Sequence, residues 1–255
     1  MQRAGREDPE AFWAQAAEAL PWFRTWEEVF QPEPPSFKWF VGARTNLAYN
    51  CLDRHVERGW GGHAALVYEN ERQERRTYTY AQLLHDVRRI AAGLRGLGVG
   101  KGDRVGIYMP TSPEAIAAML ACARIGAIHI VVFAGFGAGA LGDRLRMAGA
   151  KALLCSDVTW RKGKEVALKS IVDEALAGGD HQVAKVVVLS RGVSEPALTA
   201  GRDLGWAEFL AGGEGQESDH VELESNEPAY ILATSGTTAK PKLAVHAHGP
   251  YQVLI

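Results

Sequence analysis

The chain is poor in the features that mark secreted, membrane-bound or nucleic-acid-binding proteins. Its 255 residues include only three cysteines. These are Cys51, Cys122 and Cys155, and none stands in a CxxC pair, so we expect reduced, buried thiols and neither a disulfide framework nor a zinc site. The formal net charge is −2. A chain without an excess of positive charge is not expected to bind nucleic acid or an anionic membrane surface.

Long hydrophobic runs are also missing. The longest apolar run, residues 115–123, is too short to cross a bilayer. The N-terminal stretch MQRAGREDPE is charged and has no apolar core of the kind found in signal peptides. We therefore expect a cytoplasmic protein whose partners are small molecules, with no nucleic acid and no membrane among them.

The pattern that is present is a regular alternation of strands and helices. Two strands at 64–69 and 75–80 precede a helix that Thr79 caps. After it the sequence predicts strands at 104–109, 127–133, 151–156, 185–190 and 229–234, with helices at 113–126, 138–149, 165–177 and 206–210. The strands are apolar on both faces, as strands of a parallel sheet covered by helices must be. The pattern predicts an α/β fold with a doubly wound, mostly parallel sheet flanked by helices.

The first part of the chain has a different character. It contains a helix at 8–20 with Asp8 as its cap, a stretch at 21–40 dense in Trp, Phe and Pro, and a helix at 46–57. We therefore divide the chain into an N-terminal helical and Trp-rich arm, residues 1–62, and an α/β body, residues 63–255.

The most informative stretch is ILATSGTTAKPKLAVH, residues 231–246. A strand there leads into a loop of hydroxyls, one glycine and a lysine, namely Thr234, Ser235, Gly236, Thr237, Thr238 and Lys240. Hydroxyls and backbone N–H groups can donate to phosphate oxygens, glycine permits close approach, and lysine adds charge. A solvated Ser/Thr turn is the plain alternative. A Walker A loop is excluded, because Pro241 stands where its second glycine is needed.

The loop TSGTTAKPK resembles the phosphate-binding loop TSG[ST]TGKPKG of the acyl-adenylate-forming superfamily, with Ala239 and Leu243 in place of two glycines. The segments FKWFVGARTNLAYNCLDRHVERG (37–59) and 102–136 are similar to the acetyl-CoA synthetase branch, which includes propionyl- and acetoacetyl-CoA synthetases. The resemblance covers about residues 36–255. It implies that the loop holds the β- and γ-phosphates of ATP and that the reaction uses Mg²⁺.

Two further segments resemble the places where this branch approaches CoA. They are FAGF (133–136) and TWRKGKEVALKSIVDEAL (159–176). The resemblance implies that Phe133, Ala134 and Gly135 line the adenine and that Arg161 and Lys164 contact the 3′-phosphate. A guanidinium fork and an ammonium point charge suit a phosphate. Without the resemblance, RKGK would be interpreted as a solvated turn.

Alternatives remain open at this stage. The stretch GFGAGA (135–140) is a dinucleotide-binding fingerprint without its final glycine, so a nicotinamide oxidoreductase is a weak alternative. His246 and His248 have metal-like spacing but no evident third ligand, so no metal site is expected. His129 is predicted to be a hydrogen-bonded core residue. A non-catalytic nucleotide- or CoA-binding module is the remaining alternative.

By resemblance, the expected function is that of the N-terminal part of an acetate (short-chain carboxylate)–CoA ligase. Such enzymes form acyl-AMP and pyrophosphate from ATP and a carboxylate, then transfer the acyl group to CoA. The family's adenine-binding segment, ribose-binding acid, hinge and catalytic lysine have no counterpart before Ile255. We therefore expect no catalytic residue within the chain, no activity of the chain alone, and an exposed apolar face that could self-associate. The acyl substrate is not specified by this sequence.

Overall fold

A computed structural model describes residues 4–192, 195–234 and 241–255. The N-terminal helices are α1 (Ala4–Glu7) and α2 (Pro9–Ala17). Asp8 caps α2 as predicted, since its side chain accepts the N–H of Ala11 at 3.0 Å. The helix ends at Ala17, three residues before the predicted end at residue 20.

The stretch predicted to be an extended arm is a paired hairpin. Strands β1 (Glu28–Glu33) and β2 (Ser36–Val41) are antiparallel and meet at a cis Pro34–Pro35 bond. Its Phe40 is buried with Ala17 under a layer of tryptophans that includes Trp22 and Trp26. The aromatic residues therefore form a small core of their own.

The short strand β3 (Arg44–Thr45) leads into the region predicted as the helix 46–57. This region is helical over residues 47–60, but much of it is wound as π-helix, at Tyr49–Asp53 and Val56–Trp60. The π-winding was not predicted, because the apolar spacing of Tyr49, Leu52 and Val56 is compatible with both helix types.

The predicted strand pair and the helix after it are confirmed. Strands β4 (Ala64–Glu69) and β5 (Arg75–Thr79) pair antiparallel, and α3 (Tyr80–Gly96) follows. The Gln82 N–H donates to the Thr79 hydroxyl at 3.2 Å, and the Thr79 N–H donates to the Gln82 side chain at 3.0 Å. This reciprocal pair is a capping box, which fixes the first residue of α3.

The rest of the chain builds the central sheet and its covering helices. In chain order these elements are β6 (Arg104–Tyr108), α4 (Pro113–Arg124), β7 (Ile128–Val131), α5 (Ala138–Ala148), β8 (Ala150–Ser156), β9 (Val158–Arg161), β10 (Lys164–Ala167), α6 (Leu168–Leu176), β11 (Lys185–Leu189), β12 (Asp203–Gly205), α7 (Trp206–Ala211), β13 (Leu223–Glu224), β14 (Pro228–Thr234), β15 (Lys242–Ala247) and α8 (His248–Leu254).

The central sheet has seven strands in the order β12-β11-β8-β6-β7-β14-β15. All neighbours are parallel except β14 and β15. One hydrophobic core lies between the sheet and helices α3, α4 and α7, and a second between the sheet and helices α5 and α6. The predicted α/β fold with a mostly parallel sheet is thus confirmed, with β15 as the antiparallel exception.

One predicted helix was wrong in its first part. Residues 158–167 form the antiparallel hairpin β9–β10, and helix α6 starts only at Leu168, not at residue 165. The turn residues Lys162 and Gly163 have φ of 51° and 74°. Two successive positive φ values are the conformation of a two-residue hairpin turn, which matches the twist of the strands.

Among the described residues, no helix combines the length and the apolar composition that a bilayer span needs. Cys122 and Cys155 are buried and Cys51 is partly exposed, and all three are free thiols.

Candidate functional site at the carboxyl edge of the sheet

The strand order brings two distant loops together. Strands β7 and β8 lie on opposite sides of β6, so the chain reverses direction across the sheet at this point. Open α/β sheets bind ligands in the crevice beyond the strand carboxyl ends at such a reversal. The loop after β7 begins at Val132, and the hairpin β9–β10 follows β8 after a single residue. Both therefore lie above the end of β6.

Phe133 and Arg161 meet in this crevice. The guanidinium carbon of Arg161 lies 5.3 Å from the ring centroid of Phe133, a cation–π contact. The Phe133 side chain remains 58% exposed. Phe136 packs edge-on against Phe133 at 5.8 Å, and Arg144 lies over the Phe136 ring at 4.4 Å. The result is an open surface of two aromatic rings and two guanidinium groups.

Gly135 lies close to both of these side chains. A Cβ on Gly135 would overlap both the Phe133 ring and the Arg161 guanidinium. The neighbouring Ala134 is buried, with 6% of its surface exposed, so its methyl group packs into the core below. Of the three residues that the resemblance assigns to adenine, Phe133 and Gly135 therefore border the open surface.

Tyr108, at the carboxyl end of β6, supports the loop from below. Its hydroxyl donates to the carbonyl oxygen of Phe136 at 2.6 Å. Burial, with a smaller effect of Cys155, raises the pKa of Tyr108 to about 12, so the donor proton is retained at neutral pH.

Lys164 stands directly opposite Arg161 in the hairpin register. Both side chains are exposed, and neither forms an ion pair with another residue in the described ranges. Lys162, at the hairpin turn, is also exposed. The hairpin therefore presents positive charge to solvent at the edge where ligands of α/β sheets bind.

The structure describes the first residue of the predicted phosphate loop. Ser235, Gly236, Thr237, Thr238 and Lys240 lie outside the described residues. Thr234 ends β14, and its hydroxyl donates to the carbonyl oxygen of Lys242 at 3.3 Å. Strand β14 runs parallel to β7, whose continuation carries Phe133. The first residue of the loop thus lies at the same edge of the sheet as the basic and aromatic surface.

The nicotinamide alternative is not supported by the site geometry. Its fingerprint would need an acidic ribose ligand, and Asp157 is the carboxylate at the end of β8. Asp157 is 4% exposed and accepts the N–H groups of Val158, Arg191 and Gly192 at 2.7, 2.8 and 3.0 Å. Its acceptor sites are therefore committed to the protein.

Two of the histidines named above, His129 and His246, lie in an aromatic stack with Tyr230. His129 stacks on Tyr230 at 5.4 Å, and Tyr230 stacks on His246 at 4.5 Å. His129 is buried, but its Nδ1 has no hydrogen-bond partner among the described residues, so the prediction of a hydrogen-bonded core histidine was wrong at this atom. His248 belongs to α8, and its Nδ1 accepts the N–H of Leu47 at 3.2 Å.

Three residues that form or support this surface were not predicted from the sequence: Phe136, Tyr108 and Arg144. Phe136 adjoins the assigned residues, so the last letter of FAGF was an available signal. Tyr108 and Arg144 have no local signal, because a strand and a helix place them there through tertiary packing.

Comparisons with known proteins show the family to which the chain belongs. Residues 52–253 match the model of the AMP-binding enzyme family, so the chain belongs to that family. Residues 1–51 match the acetyl-coenzyme A synthetase N-terminus. Together the two matches cover residues 1–253: an N-terminal segment similar to that of acetyl-coenzyme A synthetases is followed by a segment of the AMP-binding enzyme family.

Similar proteins include acetyl-CoA synthetase of Deinococcus radiodurans, which is 44% identical over 98% of this chain and 38% of its own length. The 3-hydroxypropionyl-CoA synthetase of Sulfurisphaera tokodaii is 47% identical over 97% of this chain and 38% of its own length. The acetoacetyl-CoA synthetase structure from Streptomyces lividans superposes with a TM-score of 0.87 at 28% identity, covering 99% of this chain and 38% of that one. The chain thus spans about two fifths of the length of these relatives.

Proposed function

We propose that this chain supplies part of the ATP and CoA sites of a short-chain carboxylate–CoA ligase that works through an acyl-AMP. The observation that carries the proposal is the meeting of Phe133, Gly135, Arg161 and Lys164 at one exposed edge, although they come from two loops. The names of the relatives favour this function over a non-catalytic binding module.

In this proposal the open face of Phe133 stacks on the adenine of CoA. Base–aromatic stacking needs an exposed ring held in place, and the Phe136 and Arg161 contacts hold this one. Arg161 and Lys164 then receive the 3′-phosphate, since neither has a carboxylate partner in the described chain. The side chain of Ala134 lies too deep to reach the adenine, so its backbone is the part that borders the site.

The proposal is tested by binding of CoA and 3′-dephospho-CoA to the Arg161→Ala variant. Because the contact is to the 3′-phosphate, we expect CoA to bind at least tenfold more weakly, the effect of losing one charge-assisted hydrogen bond of about 1.5–3 kcal/mol. Binding of 3′-dephospho-CoA should not change. Isothermal titration calorimetry on the parent and the variant measures both. An equal loss for the two ligands would remove the assignment.

The ATP part of the proposal is carried by Thr234, Ser235, Gly236, Thr237, Thr238 and Lys240. The loop would hold the β- and γ-phosphates while the carboxylate attacks the α-phosphorus, which is positioning and charge stabilisation. In a ligase that carries this chain, Lys240→Ala should weaken the use of ATP by about 1–3 kcal/mol. Unchanged kcat/KM for ATP would show that Lys240 takes no part.

Mg²⁺ belongs to the nucleotide in this proposal. No three His, Cys, Asp or Glu side chains gather as a metal-ligand set in residues 4–192, 195–234 and 241–255, so we assign no residue to the ion. Because the chain spans only 38% of its curated relatives, we propose that it releases no pyrophosphate by itself. Acetate-dependent pyrophosphate release by this chain, at a rate near that of a full-length relative, would contradict this.

We also propose that the chain self-associates through the edge formed by β15 and α8. Phe37, Val245 and Leu254 are 64%, 58% and 69% exposed and border one cleft there. An edge strand with exposed apolar side chains is a site of strand pairing and association. Sedimentation of the parent chain and of Val245→Lys, compared over a range of concentrations, tests this; a parent chain that stays monomeric would contradict it.

A further inference from the structure

The hairpin β9–β10 has a second face with its own basic and aromatic cavity. Successive side chains of a strand point to opposite faces. Arg161 therefore faces Phe133, whereas Trp160 faces Arg72 and Arg191, whose guanidinium carbons lie 4.9 and 5.5 Å from its ring centroid. Trp160 lines a cavity of about 370 Å³ between the hairpin β4–β5 and the carboxyl end of β11.

Arg191 lies in this cavity with unused hydrogen-bonding capacity. Its Nη2 donates to the Tyr68 hydroxyl at 3.3 Å. Its Nη1 is buried and has no hydrogen-bond partner among the described residues. Arg191 also makes no ion pair with a carboxylate in the described chain. A buried donor without an acceptor costs free energy, so an acceptor that enters the cavity gains more here than at an exposed arginine.

The backbone of Arg191 is held firmly. Its N–H donates to Asp157 Oδ1 at 2.8 Å, and the next residue, Gly192, donates to Asp157 Oδ2 at 3.0 Å. Asp157 is buried and stands at the end of β8, so the carboxylate fixes the loop after β11 to the sheet. The guanidinium therefore projects from a fixed point, which lowers the entropic cost of binding a ligand.

The other charges of the cavity leave it positive. Arg72 faces Glu74 and Arg76 faces Glu114, each at 3.6 Å, a long separation for an ion pair. Arg72 and Arg76 remain 51% and 58% exposed. Three guanidinium groups thus face two carboxylates. An anion adds a partner for Arg191 without displacing either of these weak surface pairs.

We propose that this cavity is a second anion site, which binds the phosphate group of a small molecule. The guanidinium of Arg191 is the principal donor and that of Arg72 is the second, and both lie against the Trp160 ring. Planar guanidinium groups match the oxygens of a phosphate, which offers more acceptor positions than a carboxylate. The site is separate from the proposed CoA surface, because the hairpin β9–β10 lies between the two.

The test is calorimetric titration of the 255-residue chain with inorganic pyrophosphate, in the parent and in four variants. Arg191→Gln removes the unpartnered charge, and Arg72→Gln removes the second donor from an exposed position where folding should be unaffected. Each is expected to weaken binding by about tenfold or more. Arg75→Gln is the matched control, since Arg75 is on the same hairpin, pairs with Glu69 and does not line the cavity. Its affinity should equal that of the parent.

Lys240→Ala is the fourth variant, because the proposed phosphate loop could also hold pyrophosphate. A loss in Lys240→Ala with no loss in Arg191→Gln and Arg72→Gln would overturn the proposal, as would the absence of pyrophosphate binding. If Arg191→Gln fails to fold by circular dichroism, the comparison of Arg72→Gln with Arg75→Gln decides alone. Adenosine 3′,5′-bisphosphate, titrated in the presence of pyrophosphate, checks that the sites are separate; competition between the two would contradict separate sites.

Discussion

Two arginines show how this fold treats positive charge in its interior and at its edge. Arg124 is fully buried, and its Nη1 and Nη2 donate to the two oxygens of Asp53 at 2.7 and 3.0 Å, while Nε donates to the Ser218 carbonyl at 2.6 Å. Arg161 is exposed, lies over the face of Phe133 and has no carboxylate partner in the described ranges. The hydrogen-bond donors of Arg124 are satisfied within the chain, whereas those of Arg161 are available to a ligand.

The interior arginine joins parts of the chain that are far apart in sequence. Asn46 adds to the same junction, because its side chain donates to the carbonyls of Ala123 and Arg124 at 3.1 Å each. The helical region 47–60 is thereby fixed to the end of α4. A charge buried in this way has a structural role, and the presence of an arginine there does not indicate a function. The comparison teaches that hydrogen-bond satisfaction, more than charge alone, separates a structural arginine from one available to a ligand.

The largest expected effect is on stability. Arg124→Ala leaves Asp53 buried, and within the described part of the chain its remaining ion-pair partner is the half-exposed Arg88 at 3.5 Å. Breaking a buried pair on one side costs about 3–5 kcal/mol, so we expect the free energy of unfolding in urea to fall by about that amount. Arg161→Ala should change it by no more than about 0.5 kcal/mol. An equal loss of unfolding free energy in the two variants would contradict the distinction between a structural and an available arginine.

The next effect concerns pH and two buried histidines. Burial, with a smaller effect of His248, lowers the pKa of His129 to about 3, and burial lowers the pKa of His248 to about 4. Below the ordinary pKa of 6.5 the unfolded chain therefore binds more protons than the folded one. Stability should be fully present above pH 6.5 and should fall as the pH drops toward 4.

At pH 5 each of these histidines should cost about 1–2 kcal/mol of the stability measured at pH 7. Urea unfolding at the two pH values measures the loss. His129→Gln should reduce the difference between the two values, whereas replacing the exposed His63 by Gln should leave it unchanged. A difference that is the same in His129→Gln and in the parent would show that His129 does not carry it.

The smallest effect distinguishes the two cations of the hairpin β9–β10. Lys164 is an exposed point charge without a cation–π contact, so Lys164→Ala should weaken CoA binding by about 0.5–1 kcal/mol, less than Arg161→Ala does. The same titration with CoA provides the measurement. A larger loss for Lys164→Ala would mean that the lysine, and not the arginine, is the main contact at the 3′-phosphate.

The sequence was sufficient where local chemistry decides the structure. Thr79 predicted the start of α3, and the apolar strands predicted the parallel sheet. The prediction from sequence was wrong at residues 165–167. The helical periodicity of 165–177 begins within strand β10, and this strand exists because the turn residues Lys162 and Gly163 both adopt positive φ. The residue type lysine does not by itself predict a positive φ.

In the candidate site, too, some features follow from local sequence and others from tertiary packing. The resemblance of the motifs supplied Phe133, Gly135, Arg161 and Lys164, but the strand order that brings them together cannot be read from spacing. Arg191 and Trp160 are 31 residues apart, and nothing in either segment indicates that the two side chains meet. The partners of Arg124 are equally distant, since Asp53 lies 71 residues away. Long-range pairings of this kind depend on tertiary packing, which local propensity does not encode.

The antiparallel pairing of β14 and β15 has a consequence for the chain between them. Thr234 and Lys242 are register partners, so the two ends of residues 235–241 are held side by side by the sheet. A crossover to a parallel strand would have separated those ends by the length of a helix. Joining the ends of a segment costs conformational entropy, and here the folding of the hairpin has already met that cost. A ligand that these residues hold would not have to bring their two ends together, which favours tighter binding for the same number of contacts.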